Sequence, residues 1–343
     1  MKVGERNVAE AYLGTLQRHD PLYEYLAEDI LPKVEREVKD PVFHVCRLTG
    51  SNIVYKYREE RTDFSMIGKF YVPEKPHKAR NLEAEFKNLH KARALGFKHL
   101  PNYVVKPLGQ DSRTGLGLLE EYVEGKDLDH YVKRAVYEGR HGKLKERLTD
   151  LATFLAELHK KAGLSRGLDL RPSSGYFVKV LNKLKRCCLM DDKEAGAFMR
   201  LKDKWLDREY MHMDQEVIIH GDATPTNFIF PREQGLVAID LERMKRGDRM
   251  FDVGMVCGEL KHAFIWRAGD HYASEPHIGH FLHEYAKRFG HSEKLYWSIV
   301  LRNPFYMAMT ELRIARNSWL DKGHRMRLIK EAERCLTWGL KLR

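Results

Sequence analysis

No stretch of the 343-residue chain approaches the roughly 18 uncharged apolar residues that a membrane-spanning helix needs. The first twenty residues, MKVGERNVAEAYLGTLQRHD, carry charge throughout and lack the apolar core of a secretion signal. Cysteine is scarce: the five thiols at 46, 187, 188, 257 and 335 fit no zinc spacing. Adjacent Cys187 and Cys188 are poor disulfide partners, so reduced thiols and a cytoplasmic setting are expected. Internal repeats and low-complexity segments are lacking, which excludes solenoids and linker-like chains. No basic run is dense enough, or interleaved with aromatics in a way, that singles out nucleic acid.

What is present is ordinary globular composition, 43% hydrophobic and 32% charged. The length suits two lobes. The net charge of +11 favours anionic partners in general without choosing among them.

Residues 8–38 read as one or two helices, with Asp20-Pro21 as cap and first-turn pair. From Val42 the pattern shortens. VFHVCRL and NIVYKYR flank a small-residue turn at 49–52, MIGKFYV follows, and NYVVKPLG and GLGLLEEYVEG are two further strand candidates. Between them Leu82, Phe86, Leu89 and Ala92 recur at helical spacing, with Gly96 at the end. After Gly125 the chain turns helical: Leu148, Leu151, Leu155 and Leu158 share one face. The expectation is an α+β, two-lobed architecture: an N-terminal helical extension over 1–40, a small antiparallel sheet with one helix over 41–125, and a mainly helical lobe over 126–343.

Phosphoryl transfer asks a protein to position a triphosphate, to neutralise it with Mg²⁺ through oxygen ligands, and to orient a hydroxyl with a carboxylate. The chain offers these parts in order. Gly50, Ser51 and Asn52 lie in a turn that can fold over phosphates. Lys69 can reach the α- and β-phosphates, with Glu85 as its partner and Glu83 as the fallback. Backbone groups near Glu121 and Val123 can hydrogen-bond adenine. In VIIHGDATPTNFIF, Asp222 would orient the acceptor hydroxyl and accept its proton. Asn227, five residues on, and Asp240 would hold the metal. Each residue alone has a plainer reading; an isolated Asp and Asn in a turn usually form Asx turns. The strand-like flanks and Asp240, thirteen residues beyond Asn227, tip the reading toward chemistry.

These motifs resemble the aminoglycoside phosphotransferase and choline kinase-like family, distant relatives of the protein kinases. The resemblance rests on HGDATPTN at 220–227, IDLERMKRGDRMFDVG at 239–254, ELHKKAG at 157–163 and the Lys69/Glu85 pair, and covers roughly residues 42–260. It implies a protein-kinase-like fold, ATP and Mg²⁺ as cofactors, and a catalytic Asp222 followed by Asn227, Asp240 and Glu242. It also implies that Asp252 braces the catalytic loop, while His220 packs and hydrogen-bonds that loop. The nucleotide turn has one Gly where protein kinases have three. No long activation segment ending in Ala-Pro-Glu is present, which argues for a small-molecule acceptor over a protein.

From Met255 to the end, 15 Lys and Arg face 9 Asp and Glu, a balance of 15 − 9 = +6. A pocket for a polycationic aminoglycoside would be lined with carboxylates. The excess of base therefore favours a neutral or anionic acceptor: a sugar, a sugar phosphate, a nucleotide-linked compound or a glycan. Phe305, Met309, Leu312 and Arg316 fall near one face of a helix, and Arg313 and Arg316 are candidate contacts to an anionic acceptor, as Glu242 is to the acceptor generally. The competing readings are an aminoglycoside or choline-type kinase, a protein kinase, and a non-catalytic nucleotide-binding regulator. The intact Lys, Glu, Asp, Asn and Asp set speaks against the last.

Overall fold

A computed structural model of the chain describes residues 10–34, 38–49, 53–72, 76–161, 166–232, 234–290 and 293–342. They divide into two compact units, Met1–Glu124 with Val237–Arg243, and Gly125–Leu236 with Met244–Arg343.

The first unit is a six-stranded antiparallel sheet. Its strands are β1 (Glu10–Thr15), β2 (Phe43–Leu48), β3 (Ile53–Glu59), β4 (Ser65–Phe70), β5 (Pro107–Asp111) and β6 (Leu116–Glu121), in the order β1-β2-β3-β4-β6-β5. Helix α1 (Pro76–Ala94) places Leu82, Glu85, Leu89 and Ala92 on its buried face. Helical turns over residues 21–34 pack Leu22, Leu26, Ile30 and Leu31 against Phe43, Tyr57, Met66, Leu116 and Leu119 of the sheet. Their start is the expected one: the Asp20 side chain accepts from Leu22 N at 2.9 Å, ahead of Pro21.

Two expectations are corrected. Residues 10–15 are a strand, not a helix, because pairing with β2 from Glu10↔Leu48 to Thr15↔His44 supplies ladder bonds that a local pattern cannot announce. Gly14, at φ +109° beside a register shift, takes a backbone conformation that side chains resist. The sequence also placed residues 237–243 with the helical lobe. They belong to the first unit, where Val105 N donates to Ala238 O at 3.1 Å and Asn88 Nδ2 to Leu241 O at 2.8 Å.

The second unit is built from helices α2 (Leu128–Glu138), α3 (His141–Lys160), α4 (Arg171–Arg186), α5 (Asp192–Leu206), α6 (Arg249–Ala268), α7 (Glu275–Lys287), α8 (Glu293–Ala315) and α9 (Lys322–Gly339). On α3 the leucines at 148, 151, 155 and 158 are all buried. Helix α6 starts at a cap, Asp248 accepting from Met250 N at 2.9 Å, and ends at Gly269 with φ +71°. It meets α8 closely: a Cβ at Gly254 would lie 2.2 Å from Tyr306 Cβ, and one at Gly258 2.6 Å from Thr310 Cβ. Buried Arg302 of α8 ties this seam further, donating to Asp214 at 2.7 Å and to Asp248, which also accepts from Tyr306. Asp214, to which the sequence reading gave no role, is thus a buried anchor.

Two short antiparallel pairs frame the HGDATPTN loop. Val217–Ile219 pairs with Lys245–Gly247, and Phe228–Phe230 reaches Lys126–Asp127 through Ile229 and Phe230. Among the described residues no helix is long and apolar enough to cross a membrane.

Candidate functional site

In the first unit the chemistry gathers around Lys69. β4 puts Lys69 opposite Leu118 of β6. Two residues further along β6, on the same face, stands Glu120, a diagonal cross-strand neighbour. The Lys69 Nζ lies 2.6 Å from Glu85 Oε1 and 3.0 Å from Glu120 Oε1. All three side chains are buried, and Glu120 Oε2 has no hydrogen-bond partner. Glu83 is exposed, so Glu85 is the partner and the fallback drops out.

Burial works against the Lys69 ammonium, but Glu120, Glu85 and Asp240 outweigh it and hold its pKa above that of an ordinary lysine. Burial likewise pushes both carboxyl groups up, with Lys69 pulling back in part. Two carboxyl groups share one ammonium, so their ionised forms compete for it out of water. Asp240 belongs to this unit and sits at φ +60°, a left-handed conformation costly for a residue other than Gly, Asn or Asp. Glu242, two residues on, accepts from Arg243 Nε at 3.2 Å. Glu121 ends β6; its side chain accepts from Lys106 N at 2.8 Å and from the Tyr103 hydroxyl. Val123 follows, half-buried. Gly50, Ser51 and Asn52 lie outside the described residues.

In the second unit the loop is held from below by Asp252 in the first turn of α6. Its carboxylate accepts from His220 N at 2.6 Å, from Gly221 N at 2.8 Å and from His159 Nε2 at 3.1 Å. Gly221 has φ +80°, which lets two successive amides point at one carboxylate. Burial lowers the His159 pKa, with Asp252 opposing. With Nε2–H donated to Asp252, Nδ1 is left to accept from the Tyr285 hydroxyl at 2.6 Å. The His220 ring is buried, 5.2 Å from that of Phe228, and its Nδ1 accepts from Asp222 N at 3.4 Å.

Asn227 Nδ2 donates to Asp222 O at 2.9 Å, and Thr224 N reaches the same oxygen at 2.7 Å. Asn227 therefore spends its amide nitrogen on the loop and keeps its carbonyl oxygen for another role. The Asp222 carboxylate is met by Arg313 of α8: Nη1 lies 3.0 Å from Oδ1, and Nη2 lies 2.7 Å from Glu259 Oε1 on α6. Burial works against the guanidinium, but Glu259 and Asp222 together hold its pKa up. Glu259 is pushed up by burial, with Arg313 opposing. Arg316 is half-buried just past the end of α8.

The sequence profile of the phosphotransferase enzyme family (APH) matches residues 45–293. The chain belongs to that family. Among curated proteins none matches the sequence at a significant level. Solved structures share the fold of this phosphotransferase family member at low identity. The ethanolamine kinase of Plasmodium vivax is 16% identical with a TM-score of 0.56, covering 87% of this chain and 81% of that one. The choline kinase LicA from Streptococcus pneumoniae is 17% identical with a TM-score of 0.51, covering 92% and 99%. The streptomycin–ATP complex of APH(2'')-IIa is 15% identical with a TM-score of 0.52, covering 94% and 97%.

Sequence reasoning about this phosphotransferase missed Glu120, Glu259, His159 and Tyr285. ELHKKAG contained His159 and marked its place without its task. Glu120 could have been found from the strand register, and Glu259 only from the packing of α6 on α8.

Proposed function

We propose that the chain transfers the γ-phosphoryl group of ATP to a hydroxyl of a small molecule, giving ADP and a phosphate monoester. The observation that carries this reading is the HGDATPTN loop. Asp252 and two strand pairs fix its backbone, Asp222 is held at one end, and Asn227 retains a carbonyl oxygen five residues later. ATP as donor is supported by the fold shared with a phosphotransferase solved with ATP.

Asn227 and Asp240 each carry a hard oxygen donor of the kind Mg²⁺ takes and would hold the ion. When bound, the ion supplies charge neutralisation at the phosphates. Lys69, oriented by Glu85 and Glu120, pairs with the α/β-phosphates. The backbone at Glu121 and Val123 takes adenine. Asp222 turns the acceptor hydroxyl toward the phosphorus and accepts its proton.

The acceptor in this reading is a neutral hydroxyl compound such as a sugar. The +6 balance over residues 255–343 disfavours a polycation. The Arg313 guanidinium, already shared by two carboxylates, disfavours an anionic group beside Asp222. That same pair of carboxylates favours a second reading, an amino alcohol or amino sugar whose ammonium faces Glu259. Replacing Asp222→Asn tests the assignment. Turnover of ATP against a panel of sugars, nucleosides, amino alcohols and aminoglycosides should fall by at least about 100-fold. ATP affinity should stay within about twofold, since the nucleotide is held by other groups. Undiminished turnover would sink the role of Asp222.

A further inference from the structure

Arg313 was expected from the sequence to face an anionic acceptor. The geometry gives it other work. Its two terminal nitrogens are divided between Asp222 Oδ1, at 3.0 Å, and Glu259 Oε1, at 2.7 Å. The side chains of all three are nearly nine-tenths buried, at 11% exposure for Arg313 and 14% for each carboxylate. Arg313 Nε is buried without a partner, so the fork itself is what holds the group. Guanidinium is planar and always charged, with donors in fixed directions, so two fixed acceptors determine its orientation. Glu259 is fixed in turn: it follows Gly258, whose close approach to Thr310 sets the distance between α6 and α8.

A general base works when its carboxylate is aimed, and a third group commonly holds it there. We propose that Arg313, anchored by Glu259, is a positioning residue for the Asp222 carboxylate, fixing the orientation in which that carboxylate meets the acceptor hydroxyl. The inference rests on the phosphotransferase reading above. It differs from an acceptor-binding role because the guanidinium is already spent on two carboxyl groups.

The test uses water as the acceptor, so no substrate has to be known. Hydrolysis of Mg·ATP is followed for the wild type and for Asp222→Asn, Arg313→Ala, Arg313→Lys and Glu259→Gln. ATP affinity is measured by calorimetry and the thermal midpoint alongside. Arg313→Ala should lower hydrolysis by about 30-fold with ATP affinity within about twofold, the pattern of a lost orientation and not of lost binding. Arg313→Lys should recover part of that loss, because one ammonium reaches one carboxylate well and two poorly. Glu259→Gln should lie between the wild type and Arg313→Ala.

Unchanged hydrolysis in Arg313→Ala would overturn the proposal and return Arg313 to acceptor contact. A parallel loss of ATP affinity and thermal midpoint would overturn it in favour of a purely structural role. If wild type and Asp222→Asn hydrolyse ATP equally, the catalytic reading of Asp222 fails and takes this inference with it.

Discussion

Replacing Asp252→Asn changes one atom and should cost the second unit much of its stability. The wild-type carboxylate takes three buried donors: Oδ2 accepts from His220 N at 2.6 Å and His159 Nε2 at 3.1 Å, and Oδ1 accepts from Gly221 N at 2.8 Å. The amide can be set either way round. If its nitrogen replaces Oδ1, Gly221 N faces another donor. If it replaces Oδ2, His220 N does so, while His159 can shift its proton to the other nitrogen and accept. In both settings one backbone N–H of the HGDATPTN loop is stranded. That costs about 1–3 kcal/mol, and the surviving bonds lose the charge assistance that makes such bonds worth about 1.5–3 kcal/mol each. The sum is roughly 3 kcal/mol, or on the order of 6–12 °C in thermal midpoint for a unit of this size. Urea unfolding and a thermal scan measure it, and phosphoryl transfer should fall at temperatures where the variant is still folded, since the loop has lost its brace. A stability loss under about 1 kcal/mol together with full turnover would refute the claim that Asp252 holds the loop.

Further outcomes are expected. Asp240→Ala should remove the Mg²⁺ dependence of ATP binding, and calorimetry with and without Mg²⁺ decides it; tight Mg²⁺-dependent binding in the variant would count against the metal role. Glu120→Gln should stabilise by about 1 kcal/mol, because Lys69 keeps Glu85 while surplus buried charge is removed. The gain should grow as pH rises above the ordinary carboxylate range: a carboxyl raised in the folded state binds a proton that the unfolded chain has lost, so the wild type weakens there. The buried pair His262 and His324, 3.0 Å apart between ring nitrogens, has pKa values pushed down by burial to about 3 and about 4. Such neutral histidines support the fold fully above about pH 6.5 and lose that support as pH falls toward about 4, at about 1.4 kcal/mol per pH unit for each ring. Urea unfolding at pH 5 and pH 7 should show a smaller difference for His324→Gln than for the wild type; equal differences would refute it.

The parts legible in the sequence are those whose cause is local. The six residues from Asp222 to Asn227 hold both groups of the loop in one turn, and the leucines of α3 announce their face through period alone. Lys69 and Glu85 were readable because a strand and the following helix fix their separation. β1 was not, since its partner strand lies some thirty residues away and EAYLGT has no strong alternation of its own. Glu120 needed the register of β4 on β6, and residues 237–243 needed their hydrogen bonds to Val105 and Asn88. Arg313 was singled out as a cation, but its meaning depends on Glu259, 54 residues earlier. Bulk charge described the surface and said nothing of that buried exchange.

The seam at Gly254 and Gly258 has a consequence for how such a protein can change. Asp252, which carries the loop, and Glu259, which carries Arg313, flank those two glycines within a little over two turns of a single helix. A methyl group at either glycine would push α8 outward and swing Arg313 away from Asp222. The orientation of the Asp222 carboxylate is therefore tuned by two residues with no side chain to offer any ligand.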